Sequence, residues 1–105
     1  MKNDSAEILS KLADVIESRK GADAASSYVA SLFSKGSEKI AQKVGEEGVE
    51  LALASVTDGK VISEAADLLF HMMILLSDKG FSLDDVAAEL ASREGISGHA
   101  EKASR

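Results

Sequence analysis

Carboxylates spaced three apart on helix-patterned sequence are the chemistry this chain offers. Glu47 and Glu50 form one such pair and Glu64 and Asp67 a second, with Glu46 beside the first and Thr57-Asp58-Gly59-Lys60 between the two. Residues i and i+3 of a helix are surface neighbours, so each pair presents two carboxylates to one spot. A turn at 57–60 folds the flanking helices antiparallel, and the pairs then face each other across a hairpin. Oxygen ligands in a chain without Cys suit Mg²⁺ or Mn²⁺. Mg²⁺ commonly keeps waters and shares its shell with substrate phosphates, so the chemistry expected is at a phosphoanhydride.

The surroundings of the two pairs differ. On a helical wheel Lys39, Lys43, Glu46, Glu47 and Glu50 share one stripe roughly 100° wide, with apolar or small residues on the remainder. A solvated face with an ordinary Lys43–Glu47 pair at i,i+4 is the competing reading of this triplet. Glu64, Asp67 and His71 lie within roughly 60° of one another, on a segment otherwise running Val61, Ile62, Leu68, Leu69, Phe70, Met72, Met73, Ile74, Leu75, Leu76. A helix apolar nearly all round is expected to be buried, and a buried carboxylate needs a proton or a partner. His71 is expected to pack and hydrogen-bond, steadying Asp67 one turn away. Met72 and Met73 read as core fillers. Gly45 and Gly48 weaken their helix, and close approach of another helix is the expected return.

Five helices position these residues. Ser5 to Arg19 carries a stripe of Ile8, Leu9, Leu12, Val15 and Ile16, with Asp4 or Ser5 as cap. Asp23 to Phe33 is a second helix burying Tyr28, Val29, Leu32 and Phe33, closed by Lys35-Gly36. Ser37 caps a third helix to about Val56; a fourth runs from about Val61 to Ser77 and stops at Lys79-Gly80. Ser82 with Asp85 resembles a capping box that opens a fifth helix through about Arg93, with Leu83, Val86, Ala87 and Leu90 inward. Glu94 to Arg105 reads as a polar tail.

Composition agrees with an all-α fold: proline is absent, and three Phe and one Tyr are the only aromatics. The 105 residues are expected to form a single domain, residues 1–105, as a small bundle of about five helices. The fourth helix has more apolar surface than its neighbours in one chain can cover, so a homodimer or higher homo-oligomer is expected to complete a larger bundle. A net charge of −6 argues against affinity for a nucleic-acid polymer, although a bound metal can reverse the local field at a nucleotide site. The N-terminus lacks the apolar core of a signal peptide, and the run from Ala65 to Leu76 is too short to span a bilayer. A cytoplasmic protein without membrane contact is the expectation.

Glu46-Glu47-x-x-Glu50, followed after thirteen residues by Glu64-x-x-Asp67, resembles the EExxE…ExxD signature of the all-α (MazG-like) nucleoside-triphosphate pyrophosphohydrolases. Ser27-Tyr28, Lys43-Val44-Gly45-Glu46-Glu47, Glu64 to His71, and Arg93 to Gly98 with Glu101-Lys102 are similar to the phosphoribosyl-ATP pyrophosphatase family. The similarity spans nearly the whole chain. Gly48 departs from it, in a slot where the family more often has Ala.

The resemblance implies Mg²⁺-dependent hydrolysis of phosphoribosyl-ATP to phosphoribosyl-AMP and pyrophosphate, the second step of histidine biosynthesis. It carries the metal ligands onto Glu47, Glu50, Glu64 and Asp67, and leaves Glu46 to support a ligand or position water. Lys43, and Lys39 on the same stripe, are expected at phosphate oxygens, with an i,i+4 salt bridge as the alternative use of Lys43. Arg19, Lys35 and Arg93 at helix ends are expected candidates for the phosphoribosyl 5′-phosphate, against simple solvation. Tyr28 is expected to pack in the core, with stacking on adenine as the alternative. Two further functions stay open at this point: a house-cleaning pyrophosphatase for other nucleoside triphosphates, and a non-catalytic helical dimerisation module stabilised by metal.

Overall fold

The computed structural model describes residues 4–94, and these are all-helical, with five α-helices and no strand. Helix α1 spans Ser5–Ser18, and the Asp4 carboxylate accepts the Glu7 N–H at 3.2 Å as its cap. The stretch expected as a single second helix is divided. A 3₁₀ turn, Ala24–Ser26, is capped by Asp23, and helix α2, Tyr28–Lys35, begins only after Ser27. Ser27 is extended, and its hydroxyl accepts the Ala30 N–H at 3.0 Å. Two short polar side chains four residues apart each cap a helix start, so the chain makes two short elements.

Helix α3, Ser37–Ser55, begins at Gly36 rather than with Ser37 as cap. Gly36 has φ 98°, a left-handed conformation open to glycine, and it both ends α2 and starts α3. The Ser37 hydroxyl instead donates to Asp78 at 2.6 Å, tying the start of α3 to the end of helix α4, Val61–Asp78. Helix α5, Leu83–Ser92, opens as expected, with the Asp85 carboxylate accepting the Ser82 N–H at 2.9 Å. Residues 95–105, which include most of the tail, lie outside the described part, as do residues 1–3.

The core gathers Ile16 of α1, Val29 and Leu32 of α2, Ile40 from the first turn of α3, and Met73 and Ile74 from the last turns of α4. It therefore sits at the base of the α3–α4 hairpin. Leu9, Leu12 and Phe33 pack against it, whereas Ile8, Val15 and Leu90, expected inward, are exposed, and α5 has no fully buried residue. A lock outside the core joins α1 to α4: the Ser77 hydroxyl donates to the Glu17 carboxylate, and Lys20 donates to the Ser77 carbonyl at 2.6 Å.

Toward its tip the hairpin exposes apolar side chains, Leu53, Val56 and Ile62 among them. Gly59 makes the tight return possible, since a Cβ there would lie 2.7 Å from Ala54 Cα. Among the described residues Gly45 and Gly48 meet no neighbour, and a Cβ at either enters open space, which leaves room there for a helix of a second subunit. Nor is α4 buried along its length. Val61 and Ile62 are exposed, and the first fully buried residue of the helix is His71. No helix among the described residues is long and apolar enough to cross a membrane.

Candidate metal centre

Partway along the hairpin, Glu47 of α3 meets Glu64 and Asp67 of α4. Each offers a carboxylate oxygen within 4.8 Å of the other two. Glu47 is the buried member, 7% exposed, and its Oε2 is buried without a hydrogen-bond partner among the described residues. Burial is expected of the α4 pair; instead Glu64 is half-buried and Asp67 exposed. The orphaned oxygen is the observation that tests a metal. Leaving a carboxylate oxygen dry and unpaired is unfavourable by several kcal/mol or so, and a divalent cation among three hard carboxylates removes that cost. The donor set fits Mg²⁺ or Mn²⁺.

Glu50 falls outside this 4.8 Å group. Its carboxyl lies against that of Glu47, and a hydrogen bond shared with Glu47, followed by like-charge repulsion, pushes its pKa up. The like charge of a second carboxylate so close to Glu47 adds to the negative potential of the site.

Lys43 of α3 lies beside Glu47. Lys43 Nζ is 3.3 Å from Glu46 and 3.8 Å from Glu47. Its pKa is raised, chiefly by the bond to Glu46, with the Tyr28 oxygen and Glu47 contributing. Glu46 is exposed and points aside from the group. Gln42 donates to it at 2.9 Å, and that bond, then Lys43, holds its carboxyl below the usual range. Gln42 was not singled out from the sequence, although its i,i+4 spacing to Glu46 is the readable signal. Lys39 is half-buried, and acts on Glu46 only through its charge. Arg19 and Lys35 end α1 and α2, and among the described residues neither pairs with a carboxylate of the group. Arg93 pairs with Glu89 at 3.1 Å.

Tyr28 is half-exposed rather than packed in the core. Its hydroxyl lies 2.7 Å from His71 Nε2, and its ring stacks on Phe70 at 6.3 Å. His71 reaches Asp67 as its spacing suggested, but through the Asp67 backbone carbonyl at 2.8 Å rather than the carboxylate. Beside the carboxylates an open cleft of about 420 Å³ is lined by Glu50, Leu53, Gly59, Lys60, Ser63 and Glu64. Lys60 and Ser63 belong to the hairpin tip and were not singled out from the sequence. A larger cavity of about 630 Å³ lies between α1, α5 and the end of α4, and contains none of these carboxylates. A cluster of carboxylates facing one lysine, beside an open cleft, is an arrangement for holding cation and phosphate together.

The profile of the family described as phosphoribosyl-ATP pyrophosphohydrolase matches residues 9–94. The chain is similar to the phosphoribosyl-ATP pyrophosphatase of Zymomonas mobilis, 52% identical over 103 residues, covering 96% of each chain. It is 56% identical over 99 residues to the protein of that name from Azorhizobium caulinodans, covering 92% of this chain and 91% of the relative. Over 87 residues it is 52% identical to a histidine biosynthesis bifunctional protein of Shewanella oneidensis, of which it matches 41%.

Proposed function

The chain belongs to the phosphoribosyl-ATP pyrophosphohydrolase family, and from that premise we propose that it hydrolyses phosphoribosyl-ATP to phosphoribosyl-AMP and pyrophosphate in histidine biosynthesis. The observation that carries the reading is the buried, unpartnered Glu47 oxygen within reach of Glu64 and Asp67. These three would hold the divalent cation, Mg²⁺ by preference, with Glu50, whose carboxyl lies against that of Glu47, as a further ligand. Bound there, the cation neutralises phosphate charge and lowers the pKa of water.

The chain's own groups do the positioning. Lys43, charged and already beside Glu46 and Glu47, is placed to exchange those contacts for a phosphate oxygen. Glu46, outside the ligand group yet next to it, is available to orient the attacking water. His71 steadies Asp67 through the backbone. Lys39 adds positive potential on the same helix. Charge alone supports Arg19 and Lys35 as contacts to the 5′-phosphate. Water attacks a phosphorus of the α–β phosphoanhydride, and the bridging bond breaks to release pyrophosphate.

Residues 1–105 act in this reading as one domain, and the protein works as a homodimer or larger homo-oligomer. The bare apolar side of the hairpin supports assembly: Val49, Leu53, Val56 and Ile62 are 60%, 58%, 78% and 82% exposed. Incubation with Mg²⁺ and either phosphoribosyl-ATP or common nucleoside triphosphates, followed by pyrophosphate release, tests the function. Turnover of phosphoribosyl-ATP well above the panel is expected; preference for the panel would replace it with a general triphosphate pyrophosphatase.

A further inference from the structure

His71 stands at a boundary in α4. It is the first fully buried residue of the helix, so from Val61 to Phe70, where Glu64 and Asp67 sit, the core does not grip the helix completely. The imidazole bridges that boundary. Nδ1 bonds the Asp67 carbonyl at 2.8 Å, and a carbonyl can only accept, so Nδ1 carries a hydrogen; in the neutral ring Nε2 then accepts from the Tyr28 hydroxyl at 2.7 Å. The ring is also caged edge-on, 5.7 Å from Tyr28 and 5.3 Å from Phe70, at interplanar angles of 84° and 79°.

Tyr28 itself is well anchored. It opens α2 directly after the Ser27 cap, and its neighbours Val29 and Ala30 are buried. An element held in the core is thereby connected to the turn of α4 that carries Asp67. The reaction described above makes no use of the tyrosine.

We propose that Tyr28 is a positioning residue: through its hydroxyl and His71 it fixes the turn of α4 that carries Asp67, and so sets the affinity of the carboxylate group for a divalent cation. The proposal rests on the metal-binding reading of Glu47, Glu64 and Asp67. Without the Tyr28 bond the imidazole can turn, the Asp67 carbonyl loses its extra donor, and the exposed half of α4 moves relative to Glu47.

Mn²⁺ binding to the substrate-free protein, followed by the free-ion electron paramagnetic resonance signal, tests this without turnover. Tyr28→Phe and His71→Leu are each expected to weaken Mn²⁺ binding about tenfold, and the double variant no more than either alone. Ser77→Ala, which loosens the α1–α4 lock far from the carboxylates, is the control for lost stability and is expected to bind Mn²⁺ as the unmodified protein does. The ¹⁵N spectrum of His71 is expected to show the Nδ1–H tautomer. Unchanged affinity in both Tyr28→Phe and His71→Leu, or an equal loss in Ser77→Ala, overturns the proposal while leaving the metal site standing. Failure of the unmodified protein to bind Mn²⁺, or full binding by Glu47→Gln, overturns the metal-binding reading and this proposal with it.

Discussion

At the scale of single residues, the chemistry turns on what surrounds each carboxylate. Glu46 and Glu47 are adjacent in sequence and opposite in circumstance: one is exposed and paired with Gln42 and Lys43, the other has a buried oxygen with no partner. Glu47→Gln replaces a carboxylate whose buried Oε2 has no hydrogen-bond partner among the described residues with a neutral group of the same shape. Activity is expected to fall by about 100-fold or more, because a ligand is lost. The metal-free melting temperature is expected to hold or rise by a few degrees, on the order of 1 kcal/mol, as a buried carboxylate beside Glu50 is neutralised. Pyrophosphate release and calorimetry in chelator check the two halves.

Glu50 sets the pH response of the metal-free protein. Its pKa is raised in the folded state by Glu47, so folding favours the protonated form, and stability is lost as pH rises above the ordinary value of 4.5. Glu17, held by Ser77 and Lys20, and Glu46, held by Gln42 and Lys43, are lowered, and their contributions are lost as pH falls below 4.5. In chelator the melting temperature is therefore expected to rise on acidification from neutrality toward 4.5 and to turn down below it. Glu50→Gln, or saturating Mg²⁺, is expected to flatten the rise. A melting temperature that falls steadily from neutrality in chelator would contradict the raised Glu50 pKa.

At the scale of elements, the α3–α4 hairpin was readable in advance because periodicity, the Thr57–Lys60 turn and two matched carboxylate pairs all agreed on it. What periodicity does not carry is cap competition. Ser27 and Asp23 both end a helix start, and nothing in the spacing says which one takes α2, so Tyr28 was assigned to the core when it opens the helix beside His71. Gly36 displaced Ser37 for a similar reason: one left-handed glycine served two helices, and the serine found Asp78 forty-one residues away. Such long-range bonds have no local signal. The Glu17–Ser77–Lys20 lock is another. Ser77→Ala is expected to lower stability by about 1 kcal/mol, seen as a lower melting temperature, with the rate of phosphoribosyl-ATP hydrolysis unchanged.

At the scale of the whole molecule, the apolar sequence of the fourth helix predicts burial, and among the described residues of one protomer that holds only for its second half. Hydrophobicity fixes only that some surface covers the helix, not that the surface belongs to the same chain. Val56 and Ile62 at the hairpin tip are expected to be covered by another copy. Ile62→Asp is accordingly expected to shift the protein toward monomer in sedimentation at micromolar concentration; a wild-type protein already monomeric there would contradict the assembly.

The central claim is that Glu47, Glu64 and Asp67 hold the cation on which hydrolysis of phosphoribosyl-ATP depends. The most direct measurement is pyrophosphate release from phosphoribosyl-ATP in Mg²⁺ by the unmodified protein and by Glu47→Gln with Asp67→Asn. The account predicts turnover in the first, a loss of about 100-fold or more in the second, and a melting temperature in chelator no lower than that of the unmodified protein. Full activity in the double variant would contradict it.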